Sequence, residues 1–135
     1  MKCVMVVDAN LPLGLLANTV AVLAISIGHT VDGIVGEDVY DADRTLHKGI
    51  TEAVVPLLKG DSDLIRSIRT KLLSMPDKLL YSVDFCDTAQ KSKHYADYRT
   101  RLAEIPETDL QYLGIAIYGE DKDVNRLTGN IGLLR

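Results

Sequence analysis

Tryptophan is absent from this chain of 135 residues, phenylalanine occurs once, and there are only two cysteines. Cys3, inside a strand-like run, and Cys86, after another, cannot supply a disulfide framework and read as reduced, partly buried thiols. The other aromatics are six tyrosines. Without basic residues interleaved among them, they make no stacking platform for single-stranded nucleic acid. Cationic charge is short as well: 15 Lys and Arg against 19 Asp and Glu give a formal charge of -4, whereas phosphate-backbone binding rests on clustered cations that release counterions. A nucleic-acid partner is therefore not expected. The longest apolar segment, Leu11 to Ile27, is interrupted by Asn18, Thr19 and Ser26 and falls short of the roughly 20 residues a bilayer requires. The N-terminus opens on a strand-like run rather than on the basic and apolar regions of a secretory signal. These features predict a cytoplasmic protein without a membrane span.

The composition is that of an ordinary globular protein, 47% hydrophobic and 25% charged. Its length suits one domain over residues 1–135, burying about two-thirds of the surface of the unfolded chain. Four apolar, β-rich runs alternate with helical patterns: Cys3 to Val7, Ala53 to Leu58, Leu79 to Phe85 and Leu113 to Tyr118, with a short last run at Asn130 to Leu134. Such alternation predicts a layered α/β domain. The first run is continuously apolar, as in a strand covered on both faces.

The first helix is predicted over Gly14 to Ile27, ending at Gly28. Its few polar residues do not form a solvent-facing side, so it must be covered nearly all round. The sheet and the Gly28 to Gly49 segment could cover it; a second subunit is the alternative, and a homodimer is the expectation. The second helix opens at Asp61-Ser-Asp63, which can cap free amides, and buries Leu64, Ile65, Ile68 and Leu72 before Met75-Pro76. Arg66, Arg69 and Lys71 lie off that stripe as a solvated face, with an anion site as the alternative. A third helix places Tyr95, Tyr98, Leu102 and Ile105 on one core-facing side and stops at Pro106. Asp87-Thr88 and Gln90, just upstream, read as turn and cap chemistry.

Several groups could carry chemistry. Asp41, Asp43 and His47 share one loop, but the sixth position from Asp41 is Leu46 where a calcium loop needs glycine. No transition-metal spacing is present either, so a solvated turn is the reading and no metal or other cofactor is expected. Cys86 lies between Asp84 and Asp87, whose charge raises a thiol pKa and suppresses the thiolate. His29, His47 and His94 are scattered without a nucleophile elbow. More informative are the strand ends, since ligands in open α/β sheets gather where strand carboxyl ends meet helix N-termini. Asp8 and Asn10 follow the first strand, and Asp84 and Asp87 the third, although such residues also serve as plain turn formers.

Four short motifs in order resemble a bacterial family of unknown function with a peptidyl-tRNA-hydrolase-like fold. They are Val-Val-Asp8-Ala-Asn-Leu-Pro-Leu-Gly14 with Ala17-Asn18; Val83-Asp84-Phe85 with Asp87 and Ala89-Gln90; Tyr112 through Gly119; and Val124-Asn-Arg-Leu-Thr-Gly129. At one remove, Leu11-Pro-Leu-Gly14 and Thr128-Gly129 are similar to the ends of type II peptidyl-tRNA hydrolases. The resemblance implies a three-layer sandwich, with a mixed sheet of about four principal strands between helices, and supports a dimer. Those hydrolases place lysines just after the turn glycine, where this chain has Leu15-Leu16-Ala17. They also place an Asp and a Thr around the penultimate strand, where this chain has Asp109 nearby and Leu113 or Gly114. Losing the ammonium groups removes their charge-assisted phosphate contact.

The sequence thus predicts a small ligand- or partner-binding domain that has lost the catalytic lysines. Asp8 and Asp84 are its expected acceptors, Asn10, Asn18 and Asn125 its amide contacts, and Asp87 completes the candidate set. Alternatives are hydrolysis of an ester or amide such as peptidyl-tRNA, with Asp8 or Asp84 orienting water, and a structural dimer or interaction module built on the first helix.

Overall fold

Five consecutive residues, Cys3 to Val7, are buried in the first strand, β1 (Lys2–Asp8), because both of its faces are covered. The computed structural model describes every residue from Met1 to Arg135. The remaining elements are α1 (Leu13–Thr30), β2 (Val39–Tyr40), β3 (Leu46–His47), β4 (Leu57–Gly60), α2 (Ser62–Leu73), β5 (Leu80–Cys86), α3 (Asp87–Lys91), α4 (Tyr95–Leu102), a 3-10 turn at Glu107–Asp109, β6 (Tyr112–Gly119) and α5 (Asp121–Thr128).

Four strands form one mixed sheet in the order β4-β1-β6-β5. β4 runs parallel to β1, while β6 is antiparallel to both β1 and β5. The carboxyl ends of β1, β4 and β5 therefore share one end of the sheet. Alternate residues feed two cores. Val4, Val6, Ile115 and Ile117 meet Ile65 and Ile68 of α2 and Val124 and Leu127 of α5. Met5, Val7, Phe85 and Ala116 meet Leu23 and Ile27 of α1. This is the α/β architecture expected, a four-strand mixed sheet with helices on both faces.

α1 approaches β6 closely at Gly114, where a Cβ would stand 2.8 Å from Thr19 Cγ2 and 2.9 Å from Leu23 Cδ1. Only glycine leaves room for that contact. Asp61 caps α2 as expected, its Oδ1 accepting the Leu64 amide at 2.8 Å.

Several boundaries differ from expectation. α1 continues through Gly28 to Thr30, since the backbone stays helical there and the Val31 amide still reaches the Ile27 carbonyl at 3.0 Å. The second of the expected apolar runs becomes β4 and begins at Leu57, not Ala53, because Pro56 has no amide to donate and offers only its carbonyl, to the Met5 amide at 3.1 Å. The last run pairs only through a Leu58–Leu133 bridge. Asp87, Thr88 and Gln90, expected as turn and cap residues, instead belong to the short helix α3, which ends at Ser92, whose hydroxyl donates to the Thr88 carbonyl at 2.7 Å. Tyr98, Leu102 and Ile105 keep their core contacts, but Tyr95 opens α4 and is exposed, so it leaves the expected stripe.

The loop at Asp41 is a small hairpin of β2 and β3. Asp41 accepts the Asp43 and Thr45 amides at 2.9 and 3.0 Å and meets His47 Nε2 at 2.8 Å. The His47 contact and the Thr45 amide hold its carboxyl below the usual range. Both of its oxygens are engaged in closing a solvated turn.

Candidate functional site

The end of the sheet where three parallel strands finish carries an open cleft of about 440 Å³. Asp8 and Asn10 enter it from β1, Asp61 and Asp63 from the start of α2, and Asp109 from the 3-10 turn. Its polar groups mostly serve the fold. Asp8 Oδ1 accepts the Asn10 amide at 2.9 Å, closing a turn, and Ser62 Oγ accepts the Tyr112 amide at 2.9 Å. Arg66, the one cation lining the cleft, donates to the Glu107 carbonyl at 2.8 Å, to Glu107 Oε1 at 2.7 Å and to the Leu110 carbonyl. The carboxylates of this cleft thus face no free cation that could hold an anionic ligand.

A second cavity, about 310 Å³, lies beside β5, which pairs only with β6 and so forms one margin of the sheet. Val22 and Ser26 of α1 form one wall, Val83, Asp84 and Phe85 the floor, and the stretch from Ala89 through Ser92 to Tyr98 the other wall. Lys93, His94 and Tyr95 stand at its exposed rim. An apolar body with a few polar groups is the composition of small-molecule sites.

Asp84 is the fixed charge of this cavity. Arg69 Nε of α2 donates to its Oδ2 at 3.2 Å, with both side chains about one-third exposed. Its Oδ1 makes no hydrogen bond within the chain. Arg69 and Arg66 lie over the Tyr112 ring, 5.7 and 5.1 Å from its centroid, and the Tyr112 hydroxyl donates to Glu107 Oε1 at 2.9 Å. The expected solvated face of α2 is corrected here for Arg66 and Arg69: both are drawn into an internal network because two carboxylates and an aromatic face stand opposite them. Burial lowers the Arg69 pKa, but its hydrogen bond to Asp84 and the charges of Tyr112, Asp84 and Glu107 around it together more than reverse this. Burial, then the hydrogen bond to Glu107, pushes the Tyr112 phenol up to about 12. Tyr98 is raised as well, first by burial and then by the neighbouring Cys86 and Asp84.

No activated nucleophile borders the cavity. The Ser92 hydroxyl is committed to the Thr88 carbonyl. Cys86 is buried, and that burial raises its thiol pKa, with Asp84 and Asp87 adding to the shift as the sequence predicts.

The six candidate residues do not converge on one cavity. Asp8 and Asn10 meet in the open cleft, and Asp84 borders the β5 cavity. Asp87 borders a shallower hollow with Arg101 and Glu104, and its Oδ1 accepts the Thr88 and Gln111 amides at 2.9 and 3.1 Å. Asn18 is exposed on α1. Asn125, on α5, accepts Lys2 Nζ at 2.6 Å near the other end of β1. Val22, Ser26, His94 and Tyr98 were missed in the sequence, since an apolar helix position, a helix cap and a core-stripe tyrosine give no sign of sharing a wall.

The family model for DUF2000, described as a protein of unknown function, matches residues 1–135. The chain belongs to the DUF2000 family. Among solved structures, this DUF2000 chain is similar to a protein of unknown function, Atu0240, from Agrobacterium tumefaciens strain C58. The two share 18% identity with a TM-score of 0.84, over 98% of this chain and 96% of that one. At that identity the likeness speaks for a common fold alone. No curated protein matches.

Proposed function

We propose that this DUF2000 chain is a small-ligand-binding domain whose site is the cavity beside β5, with Asp84 as its polar anchor. One observation carries the reading: Asp84, whose Oδ2 accepts from Arg69 and whose Oδ1 makes no hydrogen bond within the chain, is among the residues bordering a cavity to which Val22, Val83, Phe85 and Tyr98 give an apolar body. A pre-positioned carboxylate at the border of such a cavity suits a ligand with an apolar body and a hydrogen-bond-donating head, an amine or amide N–H. The absence of an activated hydroxyl or thiol at the wall favours binding over acyl transfer.

The scaffold, on this reading, is peptidyl-tRNA-hydrolase-like. The Leu11-Pro-Leu-Gly14 turn that joins β1 to α1 and the mixed four-strand sheet between helices support that assignment. Leu15, Leu16 and Ala17 stand where the hydrolases carry cations, which argues against a retained peptidyl-tRNA activity. Two free, buried thiols suit a reducing cytoplasm.

A thermal-shift screen with small aryl-alkyl amines tests the proposal. Binders should raise the unfolding temperature of the wild type and lose the effect in Asp84→Asn and in the cavity-filling variant Ala89→Phe. Binders that stabilise both variants as well as the wild type would contradict it. Turnover of peptidyl-tRNA or of a model ester would favour a hydrolase instead.

A further inference from the structure

α1 carries no charged residue from Leu13 to Gly28, and by length and composition it could cross a membrane, yet only Thr19, Leu23 and Ile27 are buried. Its opposite side exposes Leu13 and Ile25, which are 82% and 76% accessible. The segment after the helix exposes apolar side chains as well. Val31, Ile34, Ala53 and Val55 pack into the same core layer as Leu23 and Ile27, while Val35, Val39, Ile50 and Val54 are exposed. Eight of the thirteen large apolar side chains exposed in the whole chain belong to residues 13–54. Apolar side chains left exposed in such number point to a contact surface.

The chain as a whole carries surplus surface. The chain exposes 8780 Å², against about 7,000 Å² expected of a folded monomer of its mass. The excess exceeds the roughly 800 Å² per partner that a stable interface buries.

We propose that a second copy of this chain covers the surface, α1 packing against α1 across a two-fold axis. Gly14, Ala17, Ala21, Ala24 and Gly28 recur at alternating spacings of three and four, so they share one side of the helix, and that side is exposed or half-buried. A Cβ at Gly14 or Gly28 meets nothing within 4 Å in the chain itself. Each glycine nevertheless costs about 1 kcal/mol in a helix relative to alanine. Close approach of a partner's backbone accounts for both, and the pattern is complementary to itself under two-fold symmetry. The uncharged seam also lets two chains of formal charge -4 meet without repulsion at the contact. This inference stands independently of the β5 cavity.

Sedimentation-equilibrium measurements on the full chain at micromolar concentrations test it. The wild type should show about twice the 14.8 kDa of one chain. Ala21→Glu should sediment as one chain with unchanged circular dichroism, and Gly28→Leu should weaken association at least ten-fold. A monomeric wild type, or a dimer untouched by both substitutions, overturns the proposal. So does a monomer that co-sediments with phosphatidylcholine vesicles through α1, which would assign the surface to lipid.

Discussion

Arg69 and Asp84 meet at 3.2 Å across the layer between α2 and β5, and the same guanidinium lies 5.7 Å from the centroid of the Tyr112 ring. The pair fixes the carboxylate that borders the β5 cavity. Because both partners are about one-third exposed, solvent screens their attraction and their contribution to stability is small. Arg69→Gln should cost about 1 kcal/mol, with a coupling to Asp84→Asn of about 0.5 kcal/mol in a double-mutant cycle read by urea denaturation. A coupling near zero would show that Arg69 does not hold Asp84.

Alkaline pH tests the surroundings of Tyr112. Its folded pKa, pushed up to about 12, lies above the ordinary 10.0 of a tyrosine. Between those values the unfolded chain releases a proton that the folded chain keeps. Stability from this group is therefore fully present below pH 10 and lost as pH rises towards 12. Tyr112→Phe should flatten that part of the stability profile, and the wild-type tyrosinate absorbance should contain one late-titrating component.

Gly114→Ala forces a methyl group to within 2.8 Å of Thr19 and 2.9 Å of Leu23. The expected loss is about 1–3 kcal/mol, because side chains or α1 itself must shift. Thr19→Ser removes the nearer methyl and should recover part of the loss in the double variant. Simple additivity of the two changes would contradict the contact.

Cys3 and Cys86 are both buried, and burial raises both thiol pKa values. Iodoacetamide at mildly alkaline pH should label them at least about ten-fold more slowly in the native protein than in urea, since the thiolate must form and be reached. Rapid native labelling of Cys86 would place a reactive thiol beside the cavity and reopen covalent chemistry there.

The parts of the fold set by local pattern were legible in the sequence. The continuous apolar run at Cys3 to Val7 marks a doubly covered strand, and Asp61 marks the start of α2. Features that depend on distant partners were not. Gly28 reads as a stop, but a glycine stays helical when nothing forces its backbone to turn. Arg66 and Arg69 read as solvated because Glu107 and Asp84 are remote in sequence. The cavity gathers α1 and the stretch from β5 through α3 to α4, whose lining residues lie more than 50 residues apart in the chain, and of the six candidate residues only Asp84 borders it.

A nuclear magnetic resonance titration of the isotope-labelled protein with aryl-alkyl amines addresses the proposed site most directly. Binding in the cavity beside β5 should move the signals of Val22, Phe85, Ala89 and Tyr98 together, and Asp84→Asn should abolish those shifts while leaving the rest of the spectrum intact. Shifts confined to Asp8, Asn10 and Gln111, or a response that survives Asp84→Asn, would contradict an Asp84-anchored site.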